Sequence, residues 1–212
     1  MNILLDLDGT LTDPGAGIAG CIQYALAKLG RPVPANSELL RFIGPPLLDS
    51  LRDLLDTNDA AYVEQALCLY RERYSTVGLF ENRVYPGIPS ALETLRQRGD
   101  TLFVATSKPE LYAQRIIEHF GLAGYFQRVL GSELDGARSD KTSLIAHALE
   151  QEKLVRGDTV MVGDRSHDAI GALANGILPV GVLWGYGDEQ ELTAAQCKLL
   201  LRTPAELTQL VL

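Results

Sequence analysis

The chain is predicted to be an α/β protein: a doubly wound parallel sheet interrupted, after its first strand, by an all-helical insertion. Three observations carry this. An apolar opening run, Ile3-Leu4-Leu5, breaks off into Asp6-Leu7-Asp8-Gly9-Thr10, the pattern of a buried parallel strand whose carboxyl end opens on a cleft. From Asp13 to Phe80 the apolar residues recur at helical spacing with no strand signal. After the turn signal Tyr85-Pro86-Gly87, short apolar runs alternate with helical patterns, as in a sheet covered on both faces. With 212 residues, 46% of them hydrophobic, the chain can fill the core of one large domain carrying a smaller insertion.

In order, Asp13-Pro14 reads as an N-cap followed by proline at the first helical position. Ile18, Ile22, Ala25, Leu26 and Leu29 continue that helix until Gly30. A second helix over Asn36 to Phe42 stops at Gly44-Pro45-Pro46, where continuation is sterically blocked. Leu47, Leu48, Leu51, Leu54 and Leu55 define a third, and Asn58 to Thr76 a fourth. Beyond the turn, strands are predicted at Thr101–Thr106, Arg128–Leu130, Thr159–Val162 and Leu178–Val182. Helices are predicted at Ile88–Arg98, Pro109–Phe120, Lys141–Glu152 and Ser166–Ala174. Thr203-Pro204-Ala205-Glu206 reads as a capping box opening a last short helix. The expected division is a Rossmann-like sheet domain from 1–12 and 85–212, with the helical block at 13–84.

The formal charge is 19 minus 27, or -8. An acidic protein lacks the electrostatic footprint of a nucleic-acid binder, so an anionic ligand has to be met by local cations, a metal or helix N-termini. Cys21, Cys68 and Cys197 share no metal-ligand spacing and form no disulfide framework. No signal segment or bilayer-length apolar run is read in the chain. The expectation is a soluble cytoplasmic protein, monomer or homodimer, without membrane or nucleic-acid partners.

Four places distant in sequence fall just past a strand end or at the start of a helix on the same edge: Asp6 with Asp8, Thr106-Ser107-Lys108, Lys141, and Asp164 with Asp168. Short right-handed connections gather these ends on one side of the sheet. Burying several carboxylates together is costly unless a cation or a shared proton offsets their charge. Magnesium, which takes oxygen ligands alongside phosphate, is the usual hard-cation partner. Acids alone would suggest a metal site; the added lysine and hydroxyls suggest metal-assisted phosphate chemistry.

These motifs resemble those of the haloacid dehalogenase superfamily in its phosphatase branch. Asp6-Leu7-Asp8-Gly9-Thr10 matches the first family motif, Thr106 the second, Lys141 the third, and Gly163-Asp164-Arg165-Ser166-His167-Asp168 the fourth. The helical block corresponds to a C1-type cap domain, hinged near Asp13 to Gly17 and Phe80 to Gly87. The resemblance implies that Asp6 attacks phosphorus and that Asp8 serves as general acid and base. It implies Mg2+ held by Asp6, the Asp8 backbone carbonyl and Asp164, with Asp168 supporting that shell or positioning Lys141. Thr106, Ser107, Lys141 and the amides around Gly9 would hold the phosphoryl oxygens. A second acid two residues after the nucleophile argues for an oxygen leaving group rather than halide. Thr142 stands where relatives often have proline.

The resemblance further implies a small phosphorylated metabolite as substrate. The strings Asp13-Pro14-Gly15-Ala16-Gly17-Ile18 and Phe42-Ile43-Gly44-Pro45-Pro46-Leu47 resemble the 5′-nucleotidase-like group slightly better than phosphoglycolate phosphatases. Gly44, Pro45, Pro46 and the neighbouring Arg41 are the candidate specificity loop. A sugar-phosphate phosphatase or mutase is a further alternative, and a non-catalytic interaction protein on the same scaffold is another, against which the presence of both Asp6 and Asp8 speaks. Lys108 reads equally as an anion-attracting residue or a solvated strand-end lysine. Trp184 reads as packing, His119 and His147 as surface residues, and Asp135, Arg138 and Asp140 as a solvated loop.

Overall fold

The computed structural model describes residues 1–211. The order is β1 (Asn2–Leu5), β2 (Thr12–Asp13), α1 (Gly15–Lys28), α2 (Asn36–Leu39), α3 (Leu47–Leu55) and α4 (Ala60–Arg73). It continues with β3 (Arg83–Val84), α5 (Ile88–Gln97), β4 (Thr101–Pro109), α6 (Glu110–His119), β5 (Arg128–Ser132) and α7 (Lys141–Gln151). The last elements are β6 (Thr159–Gly163), α8 (Ser166–Ala174), β7 (Leu178–Val182), α9 (Glu189–Ala194) and β8 (Leu199–Leu201). The chain forms two compact units: Met1–Asp13 with the chain from Val84 onward, and Pro14–Arg83.

The first unit is an α/β, doubly wound, Rossmann-like parallel sheet in the order β5-β4-β1-β6-β7-β8. Strand β1 pairs in parallel with β4 on one side and β6 on the other, Leu5 opposite Val104 and Val162. The strand order therefore reverses at β1, and the crevice at such a reversal is where ligands bind in open α/β sheets. Ile3, Leu4 and Leu5 are all 0% exposed, so both faces of β1 are covered, which is why the strand reads as an unbroken apolar run. On one face Leu4, Phe103, Ala105 and Met161 pack with Leu144, Ile145 and Ala148 of α7 and Ala172 of α8.

The second unit is helical. Asp59 caps α4 by accepting from the Ala61 amide at 3.0 Å. The helix runs on into a π-helical turn, Tyr74–Gly78. Arg73 grips Glu81 through two bonds of 2.7 and 2.9 Å, which ties the return segment to α4. Tyr70 and Tyr74 stack with ring centroids 5.2 Å apart. Among the described residues no helix is long and apolar enough to cross a membrane.

Several elements differ from expectation. Asp13 belongs to β2 and not to the start of α1, which begins at Gly15 after Pro14 with no side-chain cap, and the Asp13 carboxylate accepts from the Tyr186 hydroxyl. A tertiary partner far along the chain outcompetes the local cap. The two-residue strands β2 and β3, paired in their own small sheet, are too short for a periodicity to register. Strand β4 runs three residues past Thr106. Thr203 makes no side-chain cap bond; Glu206 accepts from the Arg202 amide and the Thr203 hydroxyl, and the segment is a 3-10 turn, Pro204–Gln209. The six-residue α9 and the three-leucine β8 were not foreseen, being too short for a pattern of either period.

Phe103, 2% exposed on β4, is the largest side chain of this cluster. Phe103→Ala is expected to lower unfolding stability by about 3–5 kcal/mol in urea titration. Val155→Ala, at a side chain left 68% exposed, should stay within about 0.5 kcal/mol of the parent protein.

Candidate active site

Asp6 and Asp8 follow β1 directly, so both carboxylates emerge at the sheet's reversal point. Gly9 turns the chain back with φ +84°, a conformation strained for a side-chain-bearing residue, and a Cβ there would strike the Asp164 carboxylate. The turn closes with the Gly9 amide donating to the Thr12 carbonyl at 2.7 Å. Asp164 follows β6, and Asp168 sits in the first turn of α8. Lys141 is the first residue of α7, whose start is set by Asp140 accepting from the Ser143 amide at 2.9 Å. Asp140 is thus the exposed last residue of the loop and at the same time the cap of the helix.

The side chains converge. Lys141 Nζ lies 2.8 Å from Asp6 Oδ1 and 2.7 Å from Asp168 Oδ1, and donates to the Ala105 carbonyl at 2.8 Å. Lys141 thus makes one hydrogen bond, to the Ala105 carbonyl, and two short ion pairs with the carboxylates. Asp168 spends its other oxygen on the Arg165 amide, at 3.2 Å. One ligand atom each from Asp6, Asp164 and Asp168 lies within 4.8 Å of the others, all three side chains being buried. Asp164 Oδ2 accepts from the Tyr186 amide at 2.8 Å, whereas its buried Oδ1 has no hydrogen-bond partner. Such an orphaned carboxylate oxygen within a buried acid cluster suits a hard cation.

Electrostatics follow from burial. Burial, reinforced by the Asp168 and Asp6 charges, pushes the Asp164 carboxyl well above the ordinary carboxylate range. Burial alone would depress the Lys141 ammonium, but Asp168 and Asp6 outweigh it and hold its pKa above the usual lysine value. Burial raises Asp8 as well, against the opposing charge of Lys108. His167 is pushed down by burial and by Arg165.

Of the other expected residues, Thr106 is buried at 2% exposure and accepts from the Lys108 amide at 3.3 Å. It lies one residue beyond the carbonyl that holds Lys141. The Ser107 carbonyl accepts from Ser132 Oγ at 2.9 Å. Arg41, Gly44, Pro45 and Pro46 belong to the helical unit. There Arg41 is exposed, stacks on Phe42 and stands 3.9 Å from Asp53.

Two features escaped the sequence reading. Lys108 is neither solvated nor free: its side chain is 6% exposed and its Nζ lies 2.6 Å from Asp8 Oδ2. The segment Trp184-Gly185-Tyr186-Gly187 after β7 backs the site. Trp184 donates to the Thr10 carbonyl at 3.0 Å, and a Cβ on Gly185 would collide with Asp164 and the Gly9 carbonyl. The available signal was its position: a glycine-aromatic-glycine string at the carboxyl end of a strand, on the edge that carries the motifs.

The model of the family described as haloacid dehalogenase-like hydrolase matches residues 3–182. A protein of Pseudomonas aeruginosa named 5′-nucleotidase is 49% identical over 195 residues, 92% of this chain and 88% of that protein. A Mycobacterium tuberculosis protein named tyrosine-protein kinase PtkA is 43% identical over 185 residues, 87% of this chain but 62% of its own length. A phosphoglycolate phosphatase of Neisseria meningitidis is 31% identical over 192 residues, 88% of this chain and 81% of that protein. A crystal structure of a predicted phosphatase from Clostridium acetobutylicum superposes with a TM-score of 0.94 at 40% identity, covering 98% of this chain and 96% of that one. The chain belongs to the haloacid dehalogenase-like hydrolase family, as one of its phosphoric monoester hydrolases.

Proposed function

We propose that this enzyme is a magnesium-dependent phosphomonoesterase that works through an aspartyl-phosphate on Asp6 and acts on nucleoside 5′-monophosphates. The observation that carries the reading is the buried cluster in which Lys141 bridges Asp6 to Asp168 while Asp8 stands two residues further along the same loop. Counting charges supports the cation. Asp6, Asp164 and Asp168, whose ligand atoms lie within 4.8 Å of one another, are met there by one ammonium, Lys141, and three minus one leaves two uncompensated negative charges. A divalent ion offsets that number, and burial without an offset is costly. Asp6, Asp164 and the Asp8 backbone carbonyl would hold it; when bound it withdraws charge from the phosphoryl oxygens.

The chain's own residues then divide the work. Asp6 forms a bond to phosphorus as the ester bond to the leaving oxygen breaks, and Asp8 delivers its proton to that oxygen. In the second step Asp8 takes a proton from water, the water oxygen bonds to phosphorus, and the bond to Asp6 breaks. The raised pKa of Asp8 suits the donor role of the first step. Lys141 acts on the phosphoryl group through its charge and, by its ion pair with Asp6, fixes the aim of that carboxylate. The Thr106 hydroxyl and the amides around Gly9 are the hydrogen-bond donors assigned to the phosphoryl oxygens. Asp168 positions Lys141 through the 2.7 Å ion pair, while its other oxygen accepts from the Arg165 amide.

The nucleotide assignment rests on the relative named 5′-nucleotidase at 49% identity, against 31% for the phosphoglycolate phosphatase. Phosphoglycolate also carries a second anionic group. Arg41, exposed and close to Asp53, is thin provision for it.

Asp6→Asn is expected to lower phosphate release by roughly 10³-fold or more with an unchanged circular dichroism spectrum; a fully active variant ends the assignment. In a panel of nucleoside monophosphates, phosphoglycolate and sugar phosphates, kcat/KM should be highest for the nucleotides. Magnesium should raise the melting temperature of the wild-type protein without substrate, by linkage. Asp164→Asn should abolish that shift and raise the magnesium concentration needed for half-maximal activity by about tenfold or more.

A further inference from the structure

The opening loop carries two acids, and each has its own lysine. Lys141 faces Asp6; the second pair, Lys108 with Asp8, has a shorter separation, 2.6 Å between Nζ and Oδ2, with side chains 6% and 13% exposed. The remaining oxygen, Asp8 Oδ1, is buried and has no hydrogen-bond partner. The two oxygens of this carboxyl are therefore not equivalent.

The backbone explains how Lys108 gets there. Ala105 pairs with Leu130 and Pro109 with Ser132, so four steps along β4 match two along β5. Extra residues of this kind bend a strand and re-aim its side chains. The irregular end is pinned. The Lys108 amide donates to Thr106 Oγ1 at 3.3 Å, and Ser132 Oγ donates to the Ser107 carbonyl at 2.9 Å. Gly131 permits the approach, since a Cβ there would lie 2.6 Å from the Lys108 carbonyl oxygen.

We propose that Lys108 is a positioning residue for the general acid: it holds Asp8 Oδ2 and so presents Oδ1 to the oxygen of the leaving group. This rests on the assignment of Asp8 as proton donor. The first transfer then uses one specified atom, the proton moving from Asp8 Oδ1 to the ester oxygen as that oxygen leaves phosphorus. A rotated carboxyl would present the oxygen already engaged by an ammonium.

The test is the dependence of kcat/KM on the leaving group, because this parameter reports the first transfer and is blind to hydrolysis of the aspartyl-phosphate. Wild type, Asp8→Asn, Lys108→Met and Lys108→Arg are compared on 4-nitrophenyl phosphate, whose leaving group departs without a proton, and on an alkyl phosphate, whose leaving group needs one. Lys108→Met should lose on the order of 10- to 100-fold on the alkyl ester but no more than about threefold on the aryl ester. Lys108→Arg, which keeps the charge and a donor, should restore much of the alkyl activity. Asp8→Asn should show the same selectivity more deeply. Should Lys108→Met not fold, Lys108→Gln, neutral and one bond shorter, removes the same contact and should behave alike. Equal losses on both esters, or none on either, overturn the role of Lys108 while a selective Asp8→Asn leaves Asp8 as the acid. An Asp8→Asn variant without leaving-group selectivity overturns both.

Discussion

The ammonium of Lys141 is the interaction on which the site depends. It extends from the start of α7 to Asp6, Asp168 and the Ala105 carbonyl, all within 2.8 Å of it. An isolated buried ammonium would be costly, as would either carboxylate alone. Together they compensate each other, and because Asp6 follows β1, Ala105 lies in β4 and Asp168 in α8, the contact ties those three segments to the start of α7. Removing one partner of a buried pair strands the other, which makes such a hub intolerant of partial change.

Around it each acid of the cluster is held by a partner from a different element. Asp8 has Lys108 of β4, Asp164 has the Tyr186 amide after β7, and Asp168 has the Arg165 amide at the head of α8. Ser166 and Arg165 are themselves held by Glu191 of α9, at 2.8 and 3.0 Å. Tyr186 reaches in two directions, its amide to Asp164 and its hydroxyl to Asp13. Dipoles and charges fixed before the substrate arrives need no reorganisation during reaction, which is the arrangement that electrostatic stabilisation favours.

The acids and Lys141 were legible because each belongs to a short string tied to a strand end or helix start, where local pattern and position coincide. Lys108 was ambiguous for the opposite reason. A lysine at a strand end is ordinarily solvated, and only the irregular pairing of β4 with β5 turns this one inward. Asp13 was misread: Asp-Pro before a helical pattern is a sound local cap signal, yet the Tyr186 hydroxyl, 173 positions away, claims the carboxylate. Glycine in Trp184-Gly185-Tyr186-Gly187 had no local meaning, because what it makes room for is Asp164 and the Gly9 carbonyl.

By itself the amino-acid sequence determined the parallel α/β class, the helical run after the first strand, and which acids gather at the carboxyl edge of the sheet. Those follow from periodicity and from the short range of strand-end geometry. Only the tertiary structure decided which carboxyl oxygen meets which ammonium, which oxygens stay without a partner, and which loop backs the site. Such pairings depend on strand register and on contacts between residues 22 to 174 positions apart, and no local pattern encodes a register.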